Sequence, residues 1–142
     1  MEGMDRYPSH PARDMAVRSV TAVENGDREG WLALFAEDAV VEDPIGVSSF
    51  DPEGKGHRGI DAIAAFYDNV ISKAPVHFVV RESHAAGNEC ANVYTITTHL
   101  GGAGRAVIDG VFTYLIDDNG KLAAMRGFWE ADNMKIEGPA DG

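Results

Sequence analysis

The sequence predicts an α+β domain in which helices come first and the strands of a largely antiparallel sheet follow. Two observations support this fold class. Apolar residues recur at helical spacing in the first half of the chain, and they alternate with polar residues in the second half. The turns between the later strands are too short to hold crossover helices, so neighbouring strands should pair antiparallel. Helices followed by strands are typical of an α+β layer fold.

Three helices are predicted in the first half. The first begins near Asp14 and ends at Gly26, which suits the left-handed position after a last helical turn. A second, short helix is predicted over residues 31–36. The third begins at Ile60, and Pro75 stops it because proline cannot continue a helix.

The strands are recognised by β-branched residues and by the turns between them. The segment DDNG at 117–120 is a strong hairpin signal. Residues 47–58 form a long connection that contains proline and glycine, and this connection is expected to be a lid or a surface loop. Strands are predicted near 39–46, 76–84, 90–100, 105–116 and 121–132.

A chain of 142 residues is long enough for one domain with a substantial core and too short for two. We expect a single domain over 14–137, preceded by a loose leader at 1–13 and followed by a tail at 138–142.

Charge and composition exclude several classes of partner. The net charge of −11 argues against binding to nucleic acid or to an anionic membrane surface. No apolar run approaches the roughly 20 residues that a membrane span requires. The single cysteine, Cys90, can form no internal disulfide, which fits a reducing cytoplasm. The five histidines lack ligand spacing, so neither a metal nor a cofactor is expected.

Asp43 is the candidate catalytic residue. In a strand over 39–46 its side chain would share a face with Val41 and Ile45. If that face is the inner one, burial raises the pKa of the carboxyl toward values that suit a general base. The alternative is an aspartate that caps the turn before Pro44.

Four segments carry a resemblance to a known family. The run AVVEDPIG at 39–46 follows NGD at 25–27 and LFA at 34–36, and AFYDN at 65–69 and GKLAAMRGFW at 120–129 come later in the same order. This pattern resembles the ketosteroid isomerase family of the SnoaL-like, nuclear-transport-factor-2-like superfamily, over roughly residues 14–135.

The resemblance implies a cone-shaped, curved sheet wrapped around three helices (a cystatin-like or nuclear-transport-factor-2-like fold), with an apolar pocket between the layers. It also implies a homodimer paired through the sheet. In that family, an aspartate moves a proton between two carbons beside a ketone while a tyrosine and a protonated aspartate bind the oxyanion, a mechanism already described for ketosteroid isomerase. Asp43 matches the position of the base.

The chain departs from the family at both oxyanion-binding positions. Ser19 matches the family's tyrosine and Phe112 matches its second aspartate, while Asp109 should lie on the opposite face of the strand. The substitute donors that we consider are Tyr114, Tyr67 and Trp129, each of which could instead be an ordinary core aromatic.

The predicted pocket suits a flat, apolar, steroid-like ligand. Its predicted wall residues are Ser19, Phe35, Phe66, Phe112, Met125 and Trp129. One hypothesis is a steroid delta-isomerase that acts on an enolisable steroid or polycyclic ketone, with Asp43 as base and Tyr114 or Tyr67 as donor. A second is a non-catalytic binder of steroids or other small apolar molecules. A third is a polyketide cyclase or epoxide hydrolase on the same fold, and the strand arginines Arg81, Arg105 and Arg126 give little support to epoxide opening.

Overall fold

The computed structural model describes residues 1–138. Within this range the chain forms three α-helices, α1 (Pro11–Glu24), α2 (Arg28–Leu32) and α3 (Ile60–Asn69). The strands of the same range are β1 (Phe35–Glu42), β2 (His57–Arg58), β3 (Val76–Ala86), β4 (Glu89–His99), β5 (Arg105–Ile116), β6 (Leu122–Phe128) and β7 (Lys135–Glu137).

The strands form one curved sheet in the order β2-β1-β6-β5-β4-β3, and β7 pairs with the far end of β5. Every strand pair is antiparallel except β1 with β6, which is parallel. Register shifts in β1, in β3 and between β5 and β6 mark irregularities of the kind that bend a sheet. The predicted α+β fold with a mostly antiparallel sheet is confirmed.

The helices cover one face of this sheet. Helix α1 packs against β3, β4 and β5, and α3 packs against β1 and β2. The buried face of α1 includes Met15, Ser19 and Val20, which recur at helical spacing. The layer between helices and sheet is therefore the apolar core.

The N-terminal residues differ from the expected loose leader. Helix α1 begins at Pro11 rather than near Asp14, and the His10 side chain caps it by accepting from the Ala12 N–H. Further upstream, the Glu2 N–H donates to the Phe78 carbonyl and the Val80 N–H donates to the Glu2 carbonyl. These backbone bonds hold the segment against β3. Of the expected tail, residues 139–142 lie outside the described residues.

The segment from Trp31 to Asp43 also differs from its prediction. Helix α2 ends at Leu32, and β1 begins at Phe35, inside the stretch expected to be helical. The Leu122 N–H donates to the Leu34 carbonyl, and Phe35 pairs with Leu122 of β6. Pairing with a distant strand therefore overrides the local helical pattern. Strand β1 then ends at Glu42, so Asp43 follows the strand.

Among the residues described, no helix is both long enough and apolar enough to span a membrane.

Candidate functional site

A cavity of about 470 Å³ opens between the helices and the inner face of the sheet. Its volume lies within the range of small-molecule sites. Exposed apolar side chains from the loop after β1, the β4–β5 connection and the segment around β7 border it, namely Phe50, Leu100, Met134 and Ile136. The cavity therefore has an apolar rim as well as an apolar interior.

Asp43 lies on the wall of this cavity. The parallel pairing of β1 with β6 aligns Glu42 with Arg126, which brings the end of β1 beside the end of β6. The Trp129 Nε1–H donates to Asp43 Oδ1 over 2.6 Å. The Ile45 N–H donates to the Gly127 carbonyl over 3.0 Å and holds the segment after Asp43 against β6.

The surroundings of Asp43 change its acidity. Burial raises the pKa of the Asp43 carboxyl to about 6, and the hydrogen bond from Trp129 acts in the opposite direction. The carboxylate is therefore largely ionised at neutral pH, yet it is a much stronger base than an exposed aspartate. A carboxylate of this kind is able to remove a proton from a carbon acid held in the cavity.

Gly127 makes this close arrangement possible. A Cβ at residue 127 would lie 2.7 Å from the Phe112 ring and 3.2 Å from Asp43 Oδ1. A larger residue would displace one wall residue and crowd the carboxylate.

Tyr114 lines the cavity. Its side chain is almost completely buried, and burial raises the pKa of its phenol well above the ordinary value. The hydroxyl therefore keeps its proton at neutral pH and is able to donate a hydrogen bond. Its oxygen lies 2.9 Å from the Tyr94 hydroxyl.

Ser19 also reaches the cavity, but its hydroxyl has protein partners. It accepts from the Trp31 Nε1–H over 3.0 Å and contacts Met125 Sδ at 3.8 Å. Its polar interactions thus connect α1 to α2 and β6.

Seven of the nine predicted site residues line the cavity: Ser19, Asp43, Phe66, Phe112, Tyr114, Met125 and Trp129. The other two do not. Phe35 packs edge-on against Trp31 with ring centroids 4.8 Å apart, and Tyr67 packs against Trp31 at 5.5 Å. Trp31 itself lines the cavity, so Phe35 and Tyr67 support a wall residue from behind. Neither of these two residues is part of the cavity lining.

Sequence reasoning missed several wall residues, among them Trp31, Phe50, Phe78 and Ile96. Phe78 and Ile96 face each other across β3 and β4, and their alternation with exposed residues was a usable signal. Phe50 lies in the long loop 47–58, where no periodicity assigns a side chain to the inside.

Three strand arginines do not line the cavity. Arg81 donates to Thr95, Arg105 pairs with Glu137, and Arg126 pairs with Glu42. Asp109 accepts from Thr95 on the exposed face, so it is not turned inward.

Residues 16–125 match the SnoaL-like domain family. The chain belongs to the SnoaL-like family. Within this family it is 29% identical over 119 residues to a steroid delta-isomerase of Nocardioides simplex, a match that covers 84% of this chain and 89% of that protein.

Two solved structures resemble the SnoaL-like chain over most of its length. The delta 5-3-ketosteroid isomerase from Mycobacterium sp. is 38% identical, with a TM-score of 0.86 and coverage of 91% of this chain and 100% of that one. RV0760c from Mycobacterium tuberculosis in complex with estradiol-17beta-hemisuccinate is 36% identical, with a TM-score of 0.83 and coverage of 89% and 99%. The resemblance to ketosteroid isomerases predicted from the sequence is confirmed.

Proposed function

We propose that this SnoaL-like protein binds a steroid or a similar polycyclic ketone and moves a proton from the carbon beside the ketone to the far carbon of an adjoining double bond. The observation that carries the proposal is the Asp43 carboxyl, which faces an apolar cavity with a pKa raised to about 6. Relatives named as a steroid delta-isomerase and a ketosteroid isomerase support the choice of reaction. A relative bound to a steroid ester supports the choice of ligand.

In this reaction Asp43 is the general base. Its ionised carboxylate takes a proton from the carbon between the ketone and a β,γ double bond. The electron pair of that C–H bond forms a new carbon–carbon double bond, and the π pair of the carbonyl moves onto the ketone oxygen, which gives a dienolate. The protonated Asp43 then returns the proton to the far carbon of the dienolate, so the double bond shifts and no electrons are gained or lost. Tyr114 is the donor that stabilises the oxyanion, and Trp129 holds the carboxylate in place.

An assay of 5-androstene-3,17-dione, followed by the absorbance of the conjugated enone, tests the proposal. Asp43→Asn should lower turnover by about 10²–10⁴-fold, since a positioned base contributes that much. Asp109→Asn is the matched control, because Asp109 lies on the exposed face of β5 and should keep full activity. Unchanged turnover in Asp43→Asn would remove Asp43 from the mechanism.

A second function, non-catalytic binding of a steroid or another small apolar molecule, is favoured by Ser19 and Phe112. Ser19 already contacts Trp31 and Met125, and Phe112 has no donor, so two of the family's oxyanion contacts are missing. Losing one such donor costs about 10²–10³ in rate. Tight steroid binding without isomerisation at any pH would favour this function. Cyclisation of a polyketide on the same fold is a third candidate function. Turnover of a polyketide substrate would distinguish it from steroid isomerisation and from non-catalytic binding.

The homodimer that the resemblance implies remains a prediction. Phe128, which is 51% exposed on β6, is an apolar residue available to such a contact. Sedimentation of the purified protein measures the oligomeric state directly.

A further inference from the structure

The inner face of β5 forms one long wall of the cavity. The residues of this strand that line the cavity share one face, because they are spaced by even numbers: Ala106, Ile108, Phe112 and Tyr114. Asp43 lies beside one end of this row, since a Cβ at Gly127 would contact both the Phe112 ring, at 2.7 Å, and Asp43 Oδ1, at 3.2 Å. The cavity therefore extends along β5 away from the candidate base.

The other end of the row is at Ala106. Ala106 precedes Phe112 by six residues on β5, and a strand rises by about 3.4 Å per residue, so the two positions lie about 20 Å apart along the strand. The fused four-ring nucleus of a steroid is shorter than this distance. A steroid whose ketone lies beside Asp43 therefore reaches the Ala106 end only through a substituent on the far end of its nucleus.

Four strands meet at the Ala106 end. Strand pairing aligns Val76 of β3 with Thr98 of β4, Thr98 with Ala106, and Ala106 with Ile136 of β7. Paired residues point to the same face of a sheet, and all four of these residues line the cavity. Two further lining residues lie close to this row in sequence. We call the whole group the outer subsite: Val76, Thr98, Leu100, Ala106, Met134 and Ile136.

The outer subsite is apolar and partly open to water. Thr98 is its single polar member, whereas Leu100, Met134 and Ile136 are 39%, 36% and 63% exposed. Exposed apolar side chains that border a cavity are typical of a binding surface. An alkyl group gains free energy when such a surface covers it, and it requires no hydrogen bond from the protein.

We propose that the ligand carries an alkyl side chain on the end of its nucleus opposite to the ketone, and that the outer subsite binds this chain. The inference rests on the proposed function, which places the ketone beside Asp43. It narrows the ligand class from polycyclic ketones in general to 3-ketosteroids with a sterol-type side chain at C17. Ile136 of β7 is then a specificity-determining residue.

Two ketones test this inference because they differ only in the side chain at C17: 5-cholesten-3-one and 5-androsten-3-one. Trp31 and Trp129 are the two tryptophans of the chain and both line the cavity, so quenching of their fluorescence measures each dissociation constant. One buried methylene corresponds to about fourfold in affinity, so 5-cholesten-3-one should bind at least about tenfold more tightly. Equal affinities, or weaker binding of 5-cholesten-3-one, would overturn the inference.

Ile136→Ala and Lys135→Ala distinguish the outer subsite from nonspecific adsorption of the longer ketone. Both residues are exposed on β7, but only Ile136 lines the cavity. Ile136→Ala should lower the preference for 5-cholesten-3-one about three- to tenfold and leave the affinity for 5-androsten-3-one unchanged. Lys135→Ala is the matched control and should retain the full preference. A full preference in Ile136→Ala as well would contradict the inference.

The orientation of the bound ligand is a second measurement. Nuclear Overhauser contacts of the terminal methyl groups of the side chain should reach the methyl groups of Ile136. Met125 pairs with Tyr114 at the opposite end of the cavity, so contacts to the Met125 methyl group would show that the chain lies near the base. That result would overturn the inference.

The cavity lining also includes one basic residue, Lys73, which is exposed to solvent. A cholestenone analogue whose side chain ends in a carboxylate therefore completes the comparison. Tighter binding of this acid than of 5-cholesten-3-one would assign the outer end to an anionic group and overturn the inference. Failure of both ketones to bind would overturn the proposed function and the inference together. A side-chain preference without isomerisation would contradict only the catalytic part of the proposed function and would support the outer subsite.

Discussion

Asp43 destabilises the folded protein whenever it is ionised. Its pKa is about 6 in the folded state and near 3.8 when exposed, so the folded state binds the proton more tightly. Stability is therefore greatest at low pH with respect to this group, falls between about pH 4 and pH 6, and stays lower above that range. A difference of about two pKa units corresponds to about 3 kcal/mol.

Asp43→Asn should therefore raise the free energy of unfolding by about 2–3 kcal/mol at about pH 7.5 and change it little near pH 4. The amide oxygen keeps an acceptor for the Trp129 N–H while removing the buried charge. Urea unfolding of both proteins at the two pH values measures this difference, with Asp109→Asn as the exposed control. An equal effect at both pH values would show that the Asp43 charge does not oppose folding.

Trp129 has the opposite influence on the same carboxyl. Its indole N–H stabilises the ionised form, so Trp129→Phe should raise the pKa of Asp43 above about 6. The ¹³C shift of the Asp43 carboxyl against pH measures it. Trp31→Phe is the control, because it removes another indole from the cavity wall. The Trp31 indole donates to Ser19, so this substitution should leave the pKa of Asp43 unchanged. An unchanged pKa of Asp43 in Trp129→Phe would show that the indole N–H does not stabilise the ionised carboxylate.

At the scale of elements, the strands of the second half, β3 to β6, were predictable, and the first strand was less so. The predicted segments near 76–84 and 105–116 agree closely with β3 and β5, because alternation and short turns are local signals. The apolar residues of 31–36 fit a helix as well as a strand. The hydrogen bond between Leu34 and Leu122 favours the strand over the helix. A contact between positions so far apart in the chain leaves no local sequence pattern.

Gly127 in β6 connects strand packing to the site. Gly127→Ala would place a methyl group 2.7 Å from the Phe112 ring, and overpacking of this kind typically destabilises a core by about 1–3 kcal/mol. The unfolding free energy should fall by that amount, and steroid affinity should fall with it. Gly102→Ala meets no atom within 4 Å and is the control that should leave both unchanged. Unaltered stability and affinity in Gly127→Ala would mean that the Phe112 ring can shift to make room for the methyl group.

At the scale of the whole molecule, much of the site was predictable because the family motif places Asp43, Phe112 and Trp129 at recognisable positions. The buried hydrogen bonds that join Asn92, Tyr94 and Tyr114 were not. Asn92 and Tyr94 are polar or amphipathic residues in a strand, and nothing local distinguishes a solvated face from a buried polar one. Their parity with the buried Cys90 and Ile96 was the available signal, but the partner of Tyr94 on β5, Tyr114, depends on tertiary packing.

A ligand in the cavity should stabilise the entire domain. At about one hundred times its dissociation constant, a steroid adds about 2.7 kcal/mol, which corresponds to roughly 5–10 °C in the melting temperature of a domain of this size. Ile108→Trp, which fills the cavity from β5, should abolish the shift, whereas Asp109→Trp puts the same ring on the outer face. A shift that survives Ile108→Trp would place the ligand elsewhere.

The parallel pairing of β1 with β6 has a consequence for biosynthesis. Asp43 and its indole partner are 86 positions apart, so a ribosome has already released the carboxylate and the helices long before it makes the strand that completes their pocket. A nascent chain that ends before β6 therefore exposes the apolar residues of the cavity wall. The cavity is therefore complete only after β6 and the residues that follow it have been synthesised and have paired with β1.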